Sequence, residues 1–304
     1  MTVMMGSEGL RRRAWLLALV LGAAAAAPPS LAAEGAAAAD GVQGAGGAGE
    51  AAGRPSEDEV RAVEQRGHQI ALYLQAAARA REMGQRREGG MAPPDRVVVV
   101  EGQEGWQVFF LKNPDPASKA KGVLLLGTAG FDPTSGSLGV PVTKVPAAPA
   151  PTSTLTYLRA LDTAEAAAAN DQNARPPYDE AVFKAADGGY EIYLKSSPKD
   201  AATVQAGADL LVRVTANGRQ VIGSEPYHAG ATALPLAPRP PGQPTLHMHG
   251  EEDLPSPTDV AMVLLHPELA PHLVMTPHYL FRIDAQGKLT FLGPSPGGGA
   301  GPAP

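Results

Sequence analysis

Between Thr245 and Leu265 the chain reads TLHMHGEEDLPSPTDVAMVLL, and four of these side chains can do chemistry at one point: His247, His249, Ser256 and Asp259. In an extended strand successive side chains alternate faces, so the two imidazoles point the same way, about 7 Å apart along the chain. That suits two nitrogens converging on one metal ion, at nitrogen–zinc distances of about 2.0–2.1 Å. Ser256 followed by Pro257 has the chemistry of a helix start, Ser as capping residue and Pro at the first helical position. Asp259 then falls in the first turn, where it can swing back toward the end of the strand. A third, oxygen ligand from there leaves one tetrahedral position open to water, the arrangement of a catalytic rather than a structural zinc. The same Ser-Pro-Thr-Asp run is also a sound helix cap without any metal, but that reading leaves the two histidines unexplained.

His247-Met-His249, six residues, then Ser256-Pro-Thr-Asp259 resembles the JAB/MPN (JAMM) metalloprotease-like superfamily, whose hallmark is His-x-His followed by Ser-x-x-Asp at a helix start. Gly250 departs from it, standing where many members carry Pro. The resemblance implies one zinc ion held by His247, His249 and Asp259, with Ser256 stabilising an oxyanion. It also implies an upstream Glu that activates the water and passes its proton to the leaving amine. Glu180, just ahead of Ala181-Val182-Phe183, matches that position, and Glu191 is the alternative. Glu251, Glu252 and Asp253 lie between the two halves of the motif, as further ligands or as solvent-facing acids. His228 reaches a metal only if the fold brings it there. His266, His272 and His278 flank prolines and read as surface or cap residues.

The elements that position these residues are legible in outline. Ser56-Glu57-Asp58-Glu59 is a capping box, and Val60, Val63, Gly67, Ile70, Leu74 and Ala77 follow at helical spacing. Arg96–Val100 and Trp106–Leu111 pattern as a hairpin, with Gly122–Gly127 as a third strand. Leu155–Asn170 is a second helix. Tyr190–Lys195 is a strand, and Leu210–Thr215 with Gln220–Ile222 forms a hairpin around Asn217-Gly218. The His strand, an apolar helix from Pro257, and short strands at 272–276, 279–284 and 288–292 complete the order. The expected class is α+β: a small N-terminal α+β unit at 56–131, then a JAMM-like mixed sheet flanked by helices at 153–293. The stretch 132–152, rich in Pro and Ala, reads as a linker, and 294–304 as a disordered tail.

Arg11-Arg12-Arg13, the apolar run Ala14–Ala27 and the small residues up to Ala33 have the three parts of a secretory signal peptide, 1–33. The low-complexity stretch 34–55 follows as a flexible linker. No later run is long enough to span a bilayer, so no membrane span is expected after signal removal. The expected location is periplasmic or secreted. Cysteine is absent, which removes disulfides and thiolate ligands. A net charge of −6 without basic blocks argues against a nucleic-acid partner. The leading expectation is an exported zinc-dependent hydrolase of a peptide or amide bond. The alternative is a non-catalytic JAMM-like binding or structural protein of the cell envelope, in which no base serves the metal. A cupin assignment of His-x-His fits less well, because Ser256 onward is helical in pattern.

Overall fold

The computed structural model describes residues 54–102, 105–114, 122–170, 177–198, 200–228, 230–240 and 242–296. The expected signal peptide, nearly all of the 34–55 linker and the last part of the 294–304 tail lie outside them. The fold is α+β, as the element patterning requires.

Ser56 caps α1 (Glu57–Gln85): its hydroxyl accepts from Glu59 N while the Glu59 carboxylate accepts from Ser56 N at 2.8 Å. The chain then forms β1 (Arg96–Gly102), β2 (Gly105–Lys112), β3 (Leu124–Asp132), β4 (Ser137–Leu138) and β5 (Val142–Pro149), one antiparallel sheet in which β5 pairs with β3. The 132–152 stretch is therefore not a linker. Its prolines are accommodated because β5 lies at the edge of the sheet, where one side of the backbone needs no ladder partner.

After α2 (Thr152–Ala169) come β6 (Tyr178–Lys184), β7 (Tyr190–Ser196), β8 (Thr203–Gly207), β9 (Leu210–Val214), β10 (Val221–Pro226) and β11 (Ala231–Pro235). Strands β10-β9-β7-β6 form a second antiparallel sheet, and β11 pairs with β8 as a ribbon. The last sheet has the order β12 (Thr245–Met248), β13 (His272–Met275), β14 (Tyr279–Ile283) and β15 (Leu289–Pro294). The expected tail thus begins inside β15, and Ser295 beyond it is buried.

Among the described residues only β12 and β13 run parallel, in the register Thr245↔His272 and His247↔Val274. A parallel pair needs a crossover, and α3 (Pro257–Leu265) supplies it. This topology is what sets the N-terminus of α3 beside the end of the His strand.

Residues 56–131 do not close a core of their own. Ile70, Leu74 and Ala77 of α1 share one apolar cluster with Val98, Phe110, Leu161, Ile192 and Val212. The first turns of the same helix, at Val60 and Val63, pack on a second cluster built from α3, β13–β15 and the side chains of Val204, Ala206 and Leu234, including Val263, Val274 and Phe281. Gly67 makes the crossing of α1 and α3 possible. A Cβ there would lie 2.5 Å from Val260 Cβ and 2.8 Å from Pro257 O. α3 is buried nearly all round, as its composition requires.

Candidate metal centre

Strand β12 alternates as its sequence dictates: Thr245 and His247 are buried, whereas Leu246 and Met248 are exposed. His249 continues on the buried face, its N–H donating to Met275 O at 2.8 Å. Ser256 caps α3, accepting from Asp259 N, and the Asp259 carboxylate accepts from Ser256 N at 2.8 Å and from the Ser256 hydroxyl at 2.9 Å. The capping box therefore fixes the Asp259 carboxylate and directs it back over the strand. The Ser256 hydroxyl is engaged by this cap and by Thr258, 2.8 Å away.

The structure brings together His247, His249 and Asp259 as the motif predicts, and adds His228. All four are 5% exposed or less. His247 Nε2 lies 3.1 Å from Asp259 Oδ1, and His249 Nε2 lies 3.0 Å from Asp259 Oδ2. His249 Nε2 is 3.1 Å from His247 Nε2 and 2.8 Å from His228 Nε2, and His228 Nε2 is 3.5 Å from Asp259 Oδ1. A zinc tetrahedron with bonds of about 2.05 Å has edges of about 3.3 Å. Three imidazole nitrogens and one carboxylate at these separations can hold a metal ion. The nitrogens have no comparable alternative as hydrogen-bond partners, since His249 Nε2 faces three groups and carries at most one proton.

The charge state suits that role. Burial alone would raise the Asp259 carboxyl, but the His247, His228 and His249 rings facing it hold it well below the usual carboxylate range. Burial pushes His228 down to about 4, with His249 and His247 adding to the effect against Asp259. His249 also feels burial, yet Asp259 more than offsets it and its value is raised. At neutral pH the centre is thus an anionic carboxylate among imidazoles that a cation can replace protons on.

His228 sits between β10 and β11, and Gly207 at φ 84° gives its ring room: a Cβ on Gly207 would lie 3.2 Å from His228 Cβ and 2.4 Å from Gly230 O. Its sequence setting, Pro226-Tyr227-His228, has no spacing to the other ligands, so only the fold reveals it. His272 is a second correction. It is fully buried rather than a surface or cap residue. Its Nε2 lies 2.7 Å from His247 Nδ1, and its Nδ1 lies 2.6 Å from the Thr245 hydroxyl, which donates to Leu269 O at 2.7 Å. Burial, then His247, pushes His272 down to about 3.

Glu180 is not brought to this cluster. On β6 it lies 3.6 Å from Arg96, which also pairs with Glu165 at 3.2 Å and Asp162 at 3.3 Å. Glu180, Arg96 and Glu165 line a cleft of about 370 Å³ with Arg81 and Asp95. Burial, followed by the hydrogen bond and charge of Glu165, pushes the Glu180 carboxyl up to about 8 in spite of Arg96. Glu191 is also occupied elsewhere, accepting from Arg66 at 2.8 Å. Of the acids between the motif's halves, Glu252 Oε2 lies 3.7 Å from His249 Nδ1, and Asp253 accepts from His278 Nδ1 at 2.7 Å.

Among the described residues no helix is long and apolar enough to cross a membrane. No family model, curated protein or solved structure matches the chain.

Proposed function

We propose that this chain is an exported zinc protein of the cell envelope whose JAMM-like site is closed by four protein ligands, serving a binding or structural role. The observation that carries this reading is His228. Its Nε2 takes the position that the three-ligand expectation leaves open for water, and a closed tetrahedral set is the mark of structural zinc. Three imidazoles and one carboxylate with their ligand atoms within 4.8 Å of one another suit zinc by ligand type. Bound there, the ion would tie together β12, α3 and the β10–β11 connection, and its binding energy would become folding energy. Glu180 and Glu191, the two bases the resemblance offers for hydrolysis, are engaged with their own partners.

Hydrolysis of a peptide or amide bond is the second reading, and one observation favours it. His228 Nδ1 and His249 Nδ1 are both buried without a hydrogen-bond partner among the described residues, and of the two only His249 Nδ1 has a carboxylate near it, Glu252 Oε2 at 3.7 Å, whereas a ligating imidazole ordinarily donates its other N–H. A ligand held so loosely can yield, and His247, His249 and Asp259 would remain with an open position. Cobalt-loaded protein separates the two readings. With four protein ligands, azide leaves the visible spectrum of the wild type unchanged and alters that of His228→Ala. A wild type whose spectrum shifts with azide would overturn the closed reading in favour of the open one.

A further inference from the structure

His272 has no place in the metal motif, yet it is fully buried and touches a ligand. The proton positions along its contacts follow from counting donors. A backbone carbonyl can only accept, so the single proton of the Thr245 hydroxyl goes to Leu269 O. The hydroxyl oxygen can then only accept from His272, so His272 Nδ1 carries a proton. His272 has Thr245 on one nitrogen and His247 on the other, and no acid pairs with it among the described residues. A ring so placed is neutral, and its Nε2 is a bare acceptor. His247 Nδ1 must therefore donate to it, which makes Nε2, beside His249 and Asp259, the nitrogen that His247 can offer to a cation in place of a proton.

We infer that Thr245 and His272 are positioning residues that set the tautomer of His247, so that the carbonyl of Leu269 decides which nitrogen of a metal ligand is bare. The β12–β13 register makes this possible, because it sets Thr245 beside His272 in the parallel pair. The inference rests on the metal reading of the same site. Thr245→Val leaves His272 Nδ1 without an acceptor, so His272 moves its proton to Nε2. That nitrogen then donates to His247 Nδ1, and the His247 proton moves to Nε2, the ligating atom.

The test has two arms. Nitrogen-15 spectra of the metal-free wild type should show a proton on Nδ1 of both His247 and His272, and those of Thr245→Val should show both Nδ1 atoms bare. Zinc affinity by chelator competition should fall about 10- to 100-fold in Thr245→Val, the usual cost of losing an outer partner. Thr245→Ser, which keeps the hydroxyl, should restore both readouts. His272→Gln, whose amide oxygen can accept from His247 Nδ1, should bind zinc more tightly than His272→Leu. A wild type that takes up no metal sinks the metal reading, and the tautomers still test the inference. A wild-type His247 without a proton on Nδ1, or equal zinc affinity in Thr245→Val and Thr245→Ser, would overturn it.

Discussion

The Nε2 atoms of His228 and His249 lie 2.8 Å apart across a sequence separation of 21 residues. His249 Nε2 also faces His247 Nε2 at 3.1 Å and Asp259 Oδ2 at 3.0 Å. One nitrogen cannot satisfy three such contacts with one proton, whereas one cation at their centre satisfies all of them. The relationship adds a fourth group to the three of the motif, giving four that could hold a metal ion, and the expectations below depend on it.

Removing His228 should cost metal as surely as removing a motif residue. His228→Ala, His249→Ala and Asp259→Ala should each lower zinc affinity by well over the 10- to 100-fold typical of an outer partner. Elemental analysis of purified protein and chelator competition measure this. Full zinc retention in His228→Ala would return the site to the three-ligand arrangement.

Zinc binding should weaken as pH falls, in two stages. The raised value of His249 makes it take a proton ahead of His228 in the metal-free protein. Apparent affinity should therefore drop about tenfold per pH unit once pH falls below that value. Below about 4, His228 also protonates and the slope should steepen. Competition titrations at a series of pH values report both slopes.

The metal-free fold should lose stability in acid for a related reason. His228 and His272 have folded values of about 4 and 3, below the ordinary imidazole value of 6.5. The unfolded chain therefore binds protons first, and stability falls as pH drops from about 6.5 toward 3. Denaturant melts of the chelated protein should show this loss, and His272→Leu should make it shallower.

Glu180 should act in the opposite direction. Its carboxyl, pushed up to about 8 by burial and Glu165, binds a proton more tightly folded than unfolded. Its contribution is therefore favourable in mild acid and is lost as pH rises from about 4.5 through 8. Glu180→Gln, able to donate to Glu165 as the protonated acid does, should stabilise the protein at pH 9 by up to about 4 kcal/mol. Zinc affinity should not change, and a loss of zinc in this variant would place Glu180 at the metal after all.

Gly67→Ala offers a test whose sign is informative. Inside a helix that change alone should stabilise by about 1 kcal/mol. Here the added carbon meets Val260 Cβ at 2.5 Å, Val260 Cγ1 at 2.7 Å and Pro257 O at 2.8 Å. The N-terminus of α3 must then move, carrying Asp259 with it, at a cost of about 1–3 kcal/mol. A lower melting temperature together with weaker zinc binding is the expected result.

Local pattern alone determined much of this protein. The alternation through Thr245, His247 and His249 set one buried face, and the Ser256–Asp259 capping box started α3. Both are short-range effects, governed by the period of a strand and the open N–H groups of a helix end. The capping box of α1 and the turn at Asn217-Gly218 were legible for the same reason. Strands β8 and β11 were not, because Thr203–Gly207 and Ala231–Pro235 are rich in small residues with little β preference. β5 hid behind its prolines, which only an edge position permits.

Tertiary structure decided who joins the site. His228 arrives from a connection between strands, and His272 from a neighbouring strand whose parallel register sets it next to Thr245. Glu180 was readable as a polar residue ahead of an apolar run, but β6 carries it to Arg96 and Glu165 instead of the metal ligands. None of these placements has a sequence period, because each depends on pairings between segments far apart in the chain. A ligand contributed by such a pairing is specified by the packing of the whole fold.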